Sequence, residues 1–183
     1  DPIPTAERDE VKNVYQFNSR KLARYIHSLA GPGEALPGMT VFGALNLNAR
    51  NFDVELRRAQ EKQASGMAGF LTQPVLSEAA VDNLKAARAA LPDAKILAGI
   101  LPVVSQRNAL YMENEINGIH VDEAIIRRYE GADRAQGEAL GLEISLEMAR
   151  AAAPYADGFY LMTPFNRVAL MERLIAALKQ EAL

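Results

Sequence analysis

Four short apolar runs in this chain each end in polar side chains that could hold a ligand: Asn46 and Asn48, Gln73, the Ser105-Gln106-Arg107 triplet, and the Asn166-Arg167 pair. A carboxamide presents a donor beside an acceptor, which suits the edge of a heterocycle. A guanidinium presents a fork that matches a carboxylate or a phosphate. Arg167 stands where a helical pattern begins, so that helix's positive dipole end would reinforce its charge. Together these residues point to recognition of a polar heterocycle that carries an anionic group. Each also has a plainer reading. Asn46 and Asn48 fit turn or cap positions. Gln73, before Pro74, could satisfy loop backbone, and Arg167 could be a solvated helix residue.

Other chemistries find little support. There are no cysteines, which removes disulfides and thiolate catalysis, and the only histidines are His27 and His120, too few for a histidine-built metal site. Neither a phosphate-cradling P-loop nor a dinucleotide-binding glycine fingerprint is present, and no Ser-His-Asp set can be assembled. A net charge of −3 argues against a nucleic-acid partner. No stretch reaches the roughly 20 apolar residues of a membrane span. Asp1-Pro2-Ile3-Pro4 does not read as a signal peptide, so the expected location is cytoplasmic. Asp122-Glu123 is expected to cap a short helix, and Arg127-Arg128 to lie on a solvated face.

The elements that must position the ligand groups follow from periodicity. Asn18-Ser19 predicts a helix start, with Leu22, Ile26 and Leu29 as its stripe and Gly31-Pro32-Gly33 as its stop. Strands are expected at 40–45, 68–72, 95–101 and 158–162. Helices are expected at about 52–65, 77–91, 106–115, 122–129, 133–152 and 165–181. The strand runs are continuously apolar, as in parallel strands buried on both faces. Hydrophobic residues make up 49% of the 183 positions, enough for one domain with its own core. The pattern is α/β with a repeated βα unit. Parallel strands carry their C-terminal ends to one rim, which is where ligands bind in such folds. Periodicity leaves an open sheet and a barrel equally possible.

Two stretches resemble methylenetetrahydrofolate reductases. The first runs from Phe42-Gly43-Ala44-Leu45-Asn46-Leu47-Asn48 through Lys62-Gln63-Ala64-Ser65-Gly66 to Thr72-Gln73-Pro74. The second comprises Gly99-Ile100-Leu101-Pro102 and, later, Thr163-Pro164-Phe165-Asn166-Arg167. The Asn-x-Asn form is similar to the reductase module of bifunctional proteins that also carry homocysteine S-methyltransferase. The resemblance implies the C-terminal half, about four βα units, of a (β/α)₈ TIM barrel spanning residues 1–183. It implies FAD as cofactor, NADH or NADPH as reductant and a folate as substrate, in one-carbon metabolism. On this likeness Gln73 meets the pterin or nicotinamide, and Arg167 meets the folate's glutamate tail. Lys62, Asn46 and Tyr15 contact FAD, and Asp1 lies near the flavin ring. Glu61 departs from the basic residue many relatives carry beside the lysine, and Asn46 replaces a histidine.

The family's first four strands have no counterpart in this sequence. The expectation is therefore a fragment, inactive alone, whose missing N-terminal half barrel, or a second copy of itself, covers its exposed edges. Two other classes remain open: a non-catalytic half-barrel module for assembly or ligand binding, and a flavin-free pterin-binding barrel of the methyltransferase type.

Overall fold

The computed structural model describes residues 17–183. Asp1 and Tyr15 therefore lie outside the described residues. Four parallel strands form one sheet in the order of the sequence: β1 (Val41–Leu45), β2 (Met67–Pro74), β3 (Lys95–Ile100) and β4 (Gly158–Leu161). Helix α1 (Ser19–Ser28) precedes the sheet. Helices α2 (Phe52–Gln63) and α3 (Glu78–Ala90) make the first two crossovers. The third crossover is longer, with α4 (Gln106–Glu115), α5 (Glu123–Arg128) and α6 (Arg134–Ala152), and α7 (Val168–Gln180) closes the order.

The caps explain where the helices begin. Asn18, Asn51, Ser77 and Ser105 each accept a hydrogen bond from a backbone N–H in the first turn of their helix. Asp133 and Gln136 form a reciprocal capping box at the start of α6. Asp122 behaves differently from expectation. It makes no side-chain cap on α5, and its carboxylate instead accepts from the Glu78 N–H at 2.8 Å, tying the α5 entry to the start of α3. Arg128 likewise is not simply solvated, because it pairs with Glu143 and Glu147 and clamps α5 to α6.

All the helices that touch the sheet cover one face of it. Leu45, Phe70, Ile96 and Ala98 from the strands pack with Ala23, Ala59, Ala80, Leu84, Ala87 and Ala152 from α1, α2, α3 and α6. Ile100 packs with Ala149, Leu174 and Leu178 from α6 and α7. Right-handed crossovers between strands in sequential order lead to this one-sided wrapping. The opposite face carries Phe42, Ala44, Leu71, Leu97, Gly99, Tyr160 and Met162, and Phe42 is 38% exposed. This face is apolar and uncovered among the described residues.

Three sequence expectations shift. In α1, which packs on α2 and β1, the buried residue is Ala23, and Leu22 is exposed among the described residues. β2 runs on to Pro74, with irregular register between Leu71 and Pro74. The last helix begins at Val168 rather than Phe165, because Phe165 and Asn166, within a short turn at Pro164–Asn166, adopt left-handed φ of 47° and 57°. No described helix is long and apolar enough to cross a membrane.

Candidate functional site

The parallel sheet delivers Asn46, Gln73 and Arg167 to one end of the molecule, spread along the C-terminal ends of the strands. Adjacent strands lie about 4.8 Å apart, so the ends of β1 and β4 are separated by roughly 14 Å. Only a ligand extended along the rim would reach both.

The β1 end is closed on itself. Asn46 Oδ1 accepts from the Asn48 N–H at 2.9 Å, an Asx turn, and Asn48 Nδ2 donates to the Gly118 carbonyl at 3.0 Å. The Asn46 N–H donates to Glu55 Oε1 at 3.3 Å. Lys62 reaches back from α2 and donates to the Ala44 carbonyl at 2.6 Å, with Glu55 Oε1 3.8 Å from its ammonium. Lys62 thus satisfies a carbonyl on the outer strand of the sheet, and the buried Glu55 carboxylate balances its charge. Sequence reasoning overlooked Glu55. Its signal was an acidic residue seven positions before Lys62 on the same helix, two turns away. Lys62 and the Asn46 side-chain oxygen therefore make these contacts within the chain.

Gln73 sits where the β2–β3 register shifts, at a bulge of the kind that re-aims side chains near ligand sites. Its hydrogen bonding among the described residues runs through its backbone, with Thr72 Oγ1 donating to its carbonyl at 2.7 Å. The Thr72 hydroxyl also accepts from the Gly99 N–H at 3.0 Å, which holds the bulge to β3.

The β3 and β4 ends open into a cleft of about 700 Å³ lined by Ser105, Arg107, Asn108, Tyr111, Arg134, Phe165 and Arg167, among others. The first turns of α4 and α6 and the N-cap of α7 all border it. Three arginines line it beside one carboxylate, Asp133, and the N-terminal turns of α4 and α6 lie at its wall, so cationic groups outnumber anionic ones there. Tyr111 and Phe165 are 58% and 72% exposed. They offer aromatic faces to a flat ligand. Left-handed φ at a bulky residue such as Phe165 is uncommon and is a feature of ligand-contacting turns. Arg167 is mostly buried at the cleft wall, and its Nη1 is paired with Glu138 of α6.

The cleft depends on a close approach that the sequence hid. A Cβ at Gly137 would meet the Val104 carbonyl oxygen at 2.3 Å, and one at Gly141 would meet the Val103 carbonyl oxygen at 2.3 Å. These glycines let α6 lie directly on the 102–105 backbone, which carries the cleft's inner wall. The Tyr129 hydroxyl donates to the Val103 carbonyl at 2.8 Å, and burial pushes its pKa well above the usual phenol range. His120 contacts Glu113 at 3.0 Å and Asp122 at 3.5 Å and links the end of α4 to the start of α5. No group of three or more potential metal ligands occurs among the described residues.

Against this geometry, comparison with known proteins gives a fold and not a family. No family model matches the sequence, and no curated protein matches it. A solved structure from Clostridium thermocellum is similar with a TM-score of 0.54 at 20% identity, over 75% of this chain and 52% of that one. That protein is described as uncharacterized and as binding two copies of 5-methyl-5,6,7,8-tetrahydrofolic acid. This chain spans about half its length. At such identity the likeness establishes a shared α/β architecture with a parallel sheet and alternating helices.

Proposed function

We propose that this chain is the C-terminal half of a (β/α)₈ barrel that binds a reduced folate at its rim. Its parent would be an FAD-dependent 5,10-methylenetetrahydrofolate reductase. Sequential strand order with helices on one face supports a barrel segment over a doubly wound sheet, whose order reverses and whose helices cover both faces. The structural neighbour's methyltetrahydrofolate supports a folate ligand. The motif resemblance supports the reductase chemistry of the parent, with NADH or NADPH as hydride source. Lys62 and Asn46, at the β1 end of the rim, are the residues this reading places toward the flavin.

The observation that carries the reading is Arg167, set in an arginine-rich cleft beside two exposed aromatic rings. A folate needs a cation for its glutamate carboxylates and a flat surface for its benzoyl ring. Titration of the purified chain with 5-methyltetrahydrofolate, followed calorimetrically, is expected to saturate. Arg167→Met is expected to weaken it by about ten- to hundredfold, the worth of charge-assisted hydrogen bonds. Heat flow indistinguishable from dilution with the wild-type chain would remove the folate assignment. A parallel titration with FAD separates the reductase parent from a flavin-free pterin-binding barrel.

Among the described residues the apolar sheet face is uncovered and the outer edges of β1 and β4 are unpaired, which favours a covering partner, either the complementary half barrel or a second copy. Light scattering of the isolated chain is expected to give a dimer or larger species. A monomer at high protein concentration would contradict this.

A further inference from the structure

Arg167 is paired inside the protein before any ligand arrives. Its Nη1 meets Glu138 Oε1, and its buried Nε has no hydrogen-bond partner among the described residues. Glu138 has a second basic neighbour. Arg134 lies one turn earlier on α6, with its Nε 3.9 Å from the same Oε1 and its side chain 84% exposed. Two guanidiniums therefore share one carboxylate, one of them largely buried and the other in water.

The buried member of this trio cannot be left uncompensated. Removing the partner of a buried charge is costly, so Glu138 keeps Arg167 neutralised while the cleft is empty. Glu138 is itself 30% exposed and leaves Nε without a partner, so a ligand carboxylate that also engages Nε can replace it. Glu138 then has Arg134 at i−4 on its own helix, an ordinary surface pairing that needs a side-chain rotation and no backbone change. An uncharged ligand offers Arg167 nothing in exchange.

We propose that Glu138 is a displaceable internal carboxylate that sets the ligand requirement of the cleft. It holds Arg167 against uncharged molecules and yields it to a carboxylate, moving to Arg134 as it does so. This rests on the cleft being an anion site, but not on the anion being a folate. Glu138 is a specificity-determining residue that acts through Arg167. Its removal raises the fraction of chains in which Arg167 is available. If that fraction is roughly 10–20% in the wild type, carboxylate affinity rises about five- to tenfold.

The test uses glutarate and p-aminobenzoyl-L-glutamate as carboxylate probes and glutaramide as the uncharged probe. Each is titrated into wild type, Glu138→Gln and Glu172→Gln. Glu172 lies on the exposed side of α7 outside the cleft lining, so its variant controls for overall charge. The expected result is five- to tenfold tighter glutarate and p-aminobenzoyl-L-glutamate binding in Glu138→Gln only, with glutaramide unaffected. Glu138→Ala should give the same sign if the Gln variant does not fold. Unchanged or weaker carboxylate binding in the Glu138 variants overturns the proposal. So does an equal gain in Glu172→Gln, or no glutarate binding even when Glu138 is removed. The two readings fail separately. Glutarate behaving as expected while 5-methyltetrahydrofolate does not bind sinks only the folate reading. Folate binding that depends on Arg167 but is indifferent to Glu138 sinks only this one.

Discussion

Replacing Gly141 with alanine is expected to destabilise the chain by about 2–4 kcal/mol, the scale of overpacking in a well-filled interior. Helix propensity alone predicts the opposite sign. Alanine in place of glycine within a helix gains about 1 kcal/mol. The sign reverses because the new methyl carbon would sit 2.3 Å from the Val103 carbonyl oxygen, which is backbone and cannot rotate away. Gly137 meets Val104 in the same way one turn earlier, so a double variant would lift α6 off the 102–105 segment along two turns. That segment carries the inner wall of the cleft, so ligand affinity should fall together with stability. Urea denaturation of wild type and Gly141→Ala measures the effect. A midpoint equal to or above wild type would mean that α6 does not lie on this backbone as described.

Arg88→Met is expected to cost about 2–4 kcal/mol, because one guanidinium ties together the ends of two strands and a helix. Its Nε donates to the Tyr155 carbonyl at 3.2 Å, and its Nη1 faces the Leu91, Pro92 and Ala94 carbonyls at 3.3, 3.2 and 3.0 Å. Nη2 pairs with Asp157 just before β4, and the Arg88 side chain is 25% exposed. Methionine keeps the aliphatic stem, so the loss reports the polar contacts. The Asp157 carboxylate also accepts from the Ile96 N–H at 2.9 Å and from Lys95 at 2.9 Å. Burial alone would push its carboxyl up. The Ile96 N–H and the Lys95 and Arg88 cations outweigh that and hold it below the usual carboxylate range.

A depressed folded-state pKa contributes stability that is present above the unfolded value, ordinarily about 3.8, and is lost as pH falls through the folded value. Wild type should therefore lose stability more steeply than Asp157→Asn on going below about pH 4. Thermal melts across that range decide the point. Parallel acid limbs in the two proteins would show that the cluster is not coupled to folding.

What could be read from the sequence was governed by period and by punctuation. The four strands announce themselves because both of their faces are apolar, the one packed on the helices and the one left uncovered among the described residues. Helix starts at Ser77, Ser105 and Asp133 are legible because cap chemistry is local. Placement at one rim follows from parallel pairing alone. The rest depends on contacts between residues far apart in the chain. Nothing near Lys62 signals that its ammonium turns back to Ala44, and nothing near Arg167 signals Glu138, 29 positions earlier. The Asn46–Asn48 turn was one of two open readings, and the structure supplies its hydrogen bonds without deciding what else the rim meets. The glycines at 137 and 141 fall in a sequence that reads as an ordinary helix. Only the loop beneath them reveals why they are small. The left-handed pair Phe165-Asn166 was hidden because phenylalanine rarely adopts that conformation, and helical periodicity continued through it.

The central claim is that a ligand carboxylate is held at Arg167 in the cleft between α4, α6 and α7. Nitrogen-15 spectra of the arginine Nε–H groups, recorded with and without 5-methyltetrahydrofolate, test it most directly. A large shift and slowed exchange are expected at Arg167, with smaller shifts at Arg107 and Arg134 and none at Arg88. Saturable binding that leaves the Arg167 signal unmoved would place the ligand elsewhere and contradict the account.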